Sequence, residues 1–481
     1  MQYMYWHIQY MYCIGCTVAK TYKQALASPE SANWLAAVKV ELEAMERLEV
    51  WEEVPISSLL AGVKLLHSLW VFRKQFDANG NLVKYKARLV AQGSAQQEGI
   101  DYNMLPPVKL LLFKSIYGLK QAPRVWYHEL SSFFASIDFE PSPSNPCLFI
   151  SKVPDWKCMV HVYVDNMAII SHDVDRFKKL VNNCFLMDDL GPANSLLGMK
   201  ITRFKDHLTL SQERHIDEIL REYNLQHCCS VPTPMVPNTR LVEATPSEVE
   251  EFLSLGISYR RAIGSINYIA VSTCPHIAFT VSQLSQHLEN PGIVHWRAFL
   301  HLLRYISATI KFSVRIGGGD GKFRIYTDAD WGNCGESRRS YSGYLVTWAN
   351  SIIAWKAKKQ ASVSTSTTEA EYRSLYNGVQ EAIWLGSLMN SIDGSNIFPI
   401  QVYCDNQASI ALAQNPLANQ RTKHIDIKYH FIWEAVKKGW VQINYVQTNL
   451  MAADGFTKAL ARPKHIEFLN FLNMLTDSVR G

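Results

Sequence analysis

Acids placed at the ends of apolar segments mark the chemistry that this sequence could carry. Phe323-Arg324-Ile325-Tyr326-Thr327-Asp328 reads as a strand ending in an acid, and Ile400-Gln401-Val402-Tyr403-Cys404-Asp405 reads as another. Thr368 to Leu388 reads as a helix bearing Glu369, Glu371 and Glu381, and Ala453-Asp454 opens a later helix. Asp328, Glu371, Asp405 and Asp454 are separated by 43, 34 and 49 residues, so only tertiary folding can bring them together. Carboxylates so gathered repel one another and shift their pKa values upward unless a cation joins them. Two Mg²⁺ ions ~3.5–4 Å apart, held by such oxygens, would activate a water and stabilise the leaving oxygen of a phosphodiester cut in line. A further acid, Asp165, lies at the tip of an apolar hairpin, His161 to Ile170. It is costly there unless a metal meets it, although Asp-Asn is also ordinary turn chemistry.

The chain that must position these groups has 481 residues, enough for two to four compact units. With 48% hydrophobic and 19% charged residues it reads as globular rather than disordered. A net charge of +5 suits a nucleic-acid partner without demanding one. The ten cysteines are scattered apart from Cys13-x-x-Cys16 and Cys228-Cys229, which predicts neither a zinc site nor a disulfide framework and suits a reducing compartment. Met1 to Cys16 lacks a basic leader and makes a poor signal peptide, and no window approaches ~20 uninterrupted apolar residues, so no membrane partner is expected.

Taken in order, Ser31 to Val50 has the spacing of an amphipathic helix. Leu69 to Phe76 and Leu82 to Val90 read as a hairpin whose Lys84, Lys86 and Arg88 share one face. Val231-Pro232-Thr233-Pro234 and Pro237 read as an interdomain connection, Tyr259 to Ile306 as helical, and Gly317 to Gly321 as a flexible joint. Gly343 to Trp355 gives two strands and Val441 to Val446 another.

Tyr163-Val164-Asp165-Asn166, Lys86-Ala87-Arg88-Leu89-Val90-Ala91-Gln92-Gly93, Tyr117-Gly118-Leu119-Lys120-Gln121-Ala122-Pro123-Arg124-Val125-Trp126 and Met187-Asp188-Asp189-Leu190-Gly191 follow one another in an order that resembles the copia-type LTR retrotransposon Pol polyprotein. The resemblance runs from about Thr21 to about Leu475. It implies α+β and α/β architecture in several domains: an unassigned segment 1–20, reverse-transcriptase fingers and palm over 21–235, a helical connection over 236–318, and a ribonuclease H-like mixed sheet with helices over 319–475. On this resemblance Lys86 and Arg88 face the nucleotide triphosphate, Gln121 packs under its sugar, and Lys120 and Arg124 contact phosphate; a helix cap and a solvated face are the alternative. Leu196-Leu197-Gly198-Met199-Lys200 is similar to the start of the primer-holding hairpin.

The second half resembles ribonuclease H through Tyr326-Thr327-Asp328-Ala329-Asp330-Trp331, Thr368-Glu369-Ala370-Glu371-Tyr372, Tyr403-Cys404-Asp405-Asn406 and Ala453-Asp454-Gly455-Phe456-Thr457-Lys458. Motif register favours Asp328 over Asp330 and Glu371 over Glu369. The resemblance implies Mg²⁺ (or Mn²⁺) as cofactor and an RNA–DNA hybrid, RNA or DNA as partner. Lys356, Lys358 and Lys359 would lie beside the hybrid, or else form a solvated edge. His424 and His430 are expected to be buried and satisfied rather than proton shuttles, and Trp433 replaces a usual Arg. Other retroelement proteins are possible partners, and the location implied is intracellular, in cytoplasm, nucleus or a virus-like particle.

Three departures from the family stand out. Asn166 replaces its second hairpin Asp, and His276 replaces an Asp. No Asp occurs between Asp101 and Asp138, so a palm strand with its catalytic acid is missing at Val108-Lys109. Three readings follow: a retroelement enzyme whose polymerase is dead and whose ribonuclease H can work, a nucleic-acid-binding remnant without chemistry, or a decayed or mis-spliced product. The transcript across Val108-Lys109 separates the last from the others.

Overall fold

The computed structural model describes residues 21–51, 67–76, 82–92, 116–185, 187–332, 337–415 and 426–474. They form two compact units that divide between Ala193 and Asn194, and both mix helices with sheets. The Val108-Lys109 junction lies outside the described residues, as do the Asp77 to Gly80 turn and His424.

In the first unit, helix Ser31–Arg47 lays Trp34 and Val38 against Phe72 and Ala87 of an antiparallel hairpin, Ser68–Phe76 with Leu82–Ala91. The Trp34 ring meets Tyr85 edge-on at 4.7 Å, a geometry that ring quadrupoles favour. The strand Leu82–Ala91 ends against Tyr117-Gly118: Ala91 N–H donates to the Tyr117 carbonyl at 2.8 Å. Gly118 has φ +90°, and a Cβ there would lie 1.9 Å from the Ala91 oxygen, so only glycine fits. Helix Ala122–Ser136 then covers a four-stranded antiparallel meander, Phe139–Ser142, Asn145–Ser151, Cys158–Tyr163 and Asn166–Ser171. The strand Asn166–Ser171 is an outer strand of that sheet, and its Ile170 is 61% exposed.

The second unit opens with a sheet of its own. Ser195–Leu196, Met199–Arg203 and Leu208–Ser211 pair in sequence, and Val314–Ile316 closes that sheet after a long excursion. The excursion is the helical layer Tyr259–Ser272, Ala278–Leu284 and Ile293–Ala308, packed around Ile266, Phe299, Leu302 and Leu303. The larger sheet has the spatial order Ser351–Lys359, Tyr341–Trp348, Phe323–Asp330, Ile400–Cys404, Val441–Tyr445. Its first three strands are antiparallel neighbours, and the last two run parallel to Phe323–Asp330. That is the mixed order of the ribonuclease H fold. Helix Thr367–Asp393 crosses one face and buries Tyr372, Leu375, Val379 and Ala382. A Cβ at Gly378 would lie 2.4 Å from Thr327 Cγ2, so the glycine sets how closely helix and strand approach.

Three expectations need correction. Gly317 to Gly321 is held in place rather than a loose joint: Gly317 N–H donates to Ser351 Oγ at 2.9 Å, and a Cβ at Gly319 would lie 1.9 Å from the Ala349 oxygen. Asp454 opens a short 3-10 turn, Asp454–Phe456, and the helix proper begins at Arg462, where Pro463 suits the first turn. His430 is exposed rather than buried. Among the described residues no helix is long and apolar enough to cross a membrane.

Candidate active site

Asp328, Glu371, Asp405 and Asp454 converge at one edge of the larger sheet. Asp328 lies in the central strand Phe323–Asp330, and Asp405 directly follows its parallel neighbour Ile400–Cys404. One carboxylate oxygen each of Glu371 and Asp405 and the Cys404 Sγ lie within 4.8 Å of one another. Glu371 is fastened from below by Ser374, one turn on, whose hydroxyl donates to the Asp328 carbonyl at 2.7 Å and the Gly343 carbonyl at 3.0 Å. Ser409 Oγ–H donates to the Thr368 carbonyl at 3.0 Å and ties the next helix to the same end. Asp454 arrives on its tight turn, where Lys458 Nζ lies 2.9 Å from Asp454 Oδ1 and the Thr457 hydroxyl donates to Asp328 Oδ2.

The cost of this crowding appears in the proton affinities. Burial, reinforced by the charges of Asp454 and Asp405, pushes Asp328 up to about 7. Burial, with the charges of Asp328 and Asp405, raises Glu371 well above the usual carboxylate range. Burial also raises Asp454, against the opposing charge of Lys458.

The set fits a hard divalent cation. All four donors are carboxylates, and Glu371 Oε2 is buried without a hydrogen-bond partner, a condition that proteins rarely tolerate. The Cys404 thiol is pushed up by burial, so it stays protonated and offers such an ion nothing.

The neighbouring acids are otherwise engaged. Glu369 takes hydrogen bonds from Thr365 N–H and Oγ–H, each at 2.7 Å, and from Arg373 at 2.5 Å. It caps its own helix. Asp330 stands on the flank, where its charge reaches Lys458.

A glycine makes room for the Asp454 turn. Gly343 pairs directly with Asp328 across the sheet, and a Cβ there would lie 2.6 Å from Phe456 Cβ. Gly343→Ala is expected to push Asp454 away from Asp328, lowering stability by about 1–3 kcal/mol and Mn²⁺ affinity by at least about tenfold. Thermal melts and a Mn²⁺ titration read both; an unchanged titration would show that the turn can shift freely.

Of the basic residues expected beside this site, Lys356 and Lys358 are exposed on strand Ser351–Lys359, and Lys359 Nζ donates to Gln286 Oε1 at 2.7 Å. Lys458, Thr457, Ser374 and Gly343 carry the geometry but were given no role from sequence. The first lies four residues after Asp454, the spacing of one helical turn, which is a readable signal.

The first unit presents a different picture. Asp165 sits with Val164 in the two-residue turn between Cys158–Tyr163 and Asn166–Ser171, and Val164 has φ +59°. A β-branched residue in that region marks a held, strained turn. Trp126 Nε1–H donates to the Val164 carbonyl at 2.6 Å and fixes it. Asp165 is buried, and Asn166 is half-buried beside it. The charges of Asp165 and Glu41 reach Lys86 and Arg88. Burial and the Arg88 charge bring Lys86 down to about 7. The Arg88 guanidinium lies 4.5 Å from the Tyr117 ring centre. Gln121 occupies the cap of helix Ala122–Ser136, while Lys120 and Arg124 are exposed at its start.

Residues 107–237 match the family described as reverse transcriptase (RNA-dependent DNA polymerase). The retrovirus-related Pol polyprotein from transposon TNT 1-94 of Nicotiana tabacum is 33% identical over 505 aligned residues, covering 92% of this chain and 38% of the relative. That from transposon RE1 of Arabidopsis thaliana is 30% identical over 526, covering 97% and 35%. The chain thus spans little more than a third of the length of these relatives. Among solved structures, the foamy viral protease-reverse transcriptase in complex with double-stranded DNA aligns with 86% of this chain and 69% of its own, at 10% identity and a TM-score of 0.42. Residues 107–237 thus carry the reverse transcriptase pattern, and over nearly its whole length the chain is similar to retrotransposon Pol polyproteins.

Proposed function

We propose that the second unit hydrolyses the RNA strand of RNA–DNA hybrids and that the first no longer adds nucleotides. The convergence of Asp328, Glu371, Asp405 and Asp454 on one sheet edge carries this reading. These four would hold Mg²⁺ (or Mn²⁺), which when bound supplies an activated water and stabilises the leaving oxygen. Thr457 orients one Asp328 oxygen, and Ser374 locks the Glu371 helix to the strand. Lys356 and Lys358, exposed beside the sheet, would attract the hybrid's phosphates. The hydrolase is assigned to 319–475, the connection to 236–318 and the fingers and palm to 21–235.

Loss of the polymerase follows from the same carboxylate arithmetic. Asp165 is the one acid left of the family's three, Asn166 is a neutral amide, and the charge of Asp165 reaches Lys86 and Arg88. A gap in this chain is supported by the alignments, which at 505 and 526 residues exceed its whole 481. One carboxylate cannot hold two divalent ions against water.

The test is a labelled RNA–DNA hybrid and a primed template, each with and without Mg²⁺. Cleavage of the RNA that depends on Mg²⁺ is expected, with no primer extension, and Asn166→Asp should not restore extension. A cooperatively folding protein that binds hybrid without cutting it would leave the binding-remnant reading standing. Primer extension by the Asn166→Asp protein would refute the polymerase half.

A further inference from the structure

The carboxylate cluster is lopsided. On one side Glu371 and Asp405 approach each other, and Glu371 Oε2 points into the buried space with nothing to accept from. On the other, Asp454 Oδ1 is likewise buried without a hydrogen bond, but the ammonium of Lys458 lies 2.9 Å from it as an ion pair, and the Thr457 hydroxyl holds Asp328 Oδ2. The turn puts it there. Lys458 N–H donates to the Asp454 carbonyl at 3.2 Å, which folds the lysine stem back over the acid four residues earlier. Asp328, Asp454 and Asp330 all present charge to it. Its side chain is 36% exposed and that of Asp454 only 12%, so the lysine covers the acid from the solvent side and has room to swing away.

We propose that Lys458 is a resident cation of the site: it occupies the Asp328–Asp454 side until a divalent ion displaces it, and so divides the site into a tight position at Glu371–Asp405 and a weak one at Asp328–Asp454. This rests on the metal-dependent reading above. Two divalent ions repel, and an ammonium left between two carboxylates adds to that repulsion for the incoming ion. The first ion therefore enters at Glu371 Oε2, where the oxygen is unpartnered and no ammonium stands beside it. The second must exchange with the lysine, which frees a positive charge at the mouth of the site. Lys458 is a positioning residue in this scheme and touches no reacting atom.

The experiment is a Mn²⁺ binding isotherm of the full chain, followed by the paramagnetic signal of free Mn²⁺, for the wild type and for Lys458→Met, Lys458→Gln and Lys458→Arg. The wild type should show two classes at least about tenfold apart. Met and Gln should tighten the weak class by about tenfold and leave the tight class unchanged, while Arg should keep the split. Melts of the metal-free proteins should show Met and Gln below the wild type, because uncompensated carboxylates remain, with a larger rise on adding Mn²⁺. Two neutral variants guard against one failing to fold. A weak class unmoved or weakened in whichever neutral variant folds would overturn the proposal while leaving the metal centre intact. A wild type that binds no Mn²⁺ would overturn both.

Discussion

Asp328→Asn is expected to abolish hybrid cleavage, by roughly 10³-fold or more, and at the same time to raise the melting temperature of the metal-free protein. The first effect follows from position, because Asp328 stands at the centre of the cluster and faces Glu371, Asp405 and Asp454. The second follows from burial. A carboxyl whose pKa is raised to about 7 in the fold is disfavoured as an anion, so between its ordinary value and 7 the unfolded chain releases the proton more readily. Stability is lost as pH rises through that window. An amide has no such charge, and its oxygen can still accept from Thr457. A gain of roughly 1–3 kcal/mol is expected at pH 7.5 without metal. With saturating Mg²⁺ the order should reverse, because the wild type gains more from the ion than a variant that has lost one of the four carboxylates. Melts with EDTA and with Mg²⁺, beside the cleavage assay, read all three effects. A variant less stable than wild type in EDTA would show that Asp328 is not strained in the fold.

Acidification should act in the opposite direction through histidines that the site does not use. His276 is fully buried, with neither ring nitrogen partnered, and burial together with nearby His465 brings it down to about 3. Burial brings His465 down to about 4, and its Nε2 shares a hydrogen bond with the Tyr305 hydroxyl at 2.7 Å. A base whose folded pKa is depressed contributes stability above its unfolded value, near 6.5, and that stability is lost as pH falls below it. At pH 5 each histidine costs about 2 kcal/mol, so the pair costs roughly 4 kcal/mol against a total of about 5–15 kcal/mol for a typical domain. In EDTA the acids regain protons over the same range and offset part of the loss. In Mg²⁺ the acids regain protons only as the ion leaves, and the stabilisation the ion supplied goes with it. Melting temperatures taken from pH 7.5 to 5 should therefore fall more steeply with Mg²⁺ than with EDTA, and His276→Phe should flatten both curves. Parallel curves would mean that the carboxylates and histidines do not titrate as their burial requires.

What the sequence made legible was what local pattern controls. The two strands and the helix bearing Glu371 follow from apolar period and β-branched content, and the structure forms all three, although the first strand runs past Asp328 to Asp330 and the second stops at Cys404, just before Asp405. The difference between Glu369 and Glu371 was readable only by resemblance; in the fold it is physical, since Glu369 is bound by Thr365 and Arg373 while Glu371 is left open. The remainder depended on tertiary contacts that no local pattern reports. A glycine-rich run looks mobile until the Ala349 oxygen is found against Gly319. The Asp454 segment looks helical until the short turn and Pro463 are seen to separate it from the helix. The sequence offers no account of His276 in place of an Asp; its burial among Tyr305 and Phe312 makes it a weak point of the second unit.

The strand Val314–Ile316 has a consequence for how separable the carboxylate site is. Phe312 and Val314 share an apolar cluster with Leu345, Ile352 and Phe456, and Phe456 sits two residues beyond Asp454. Trp355, on the neighbouring strand, donates to the Ala270 carbonyl at 2.8 Å. A piece cut free at the glycine run would therefore lose part of the apolar floor beneath one of the four acids. The helical layer buttresses the half that holds the carboxylates, and a piece that keeps this floor whole starts with the second unit, near Asn194.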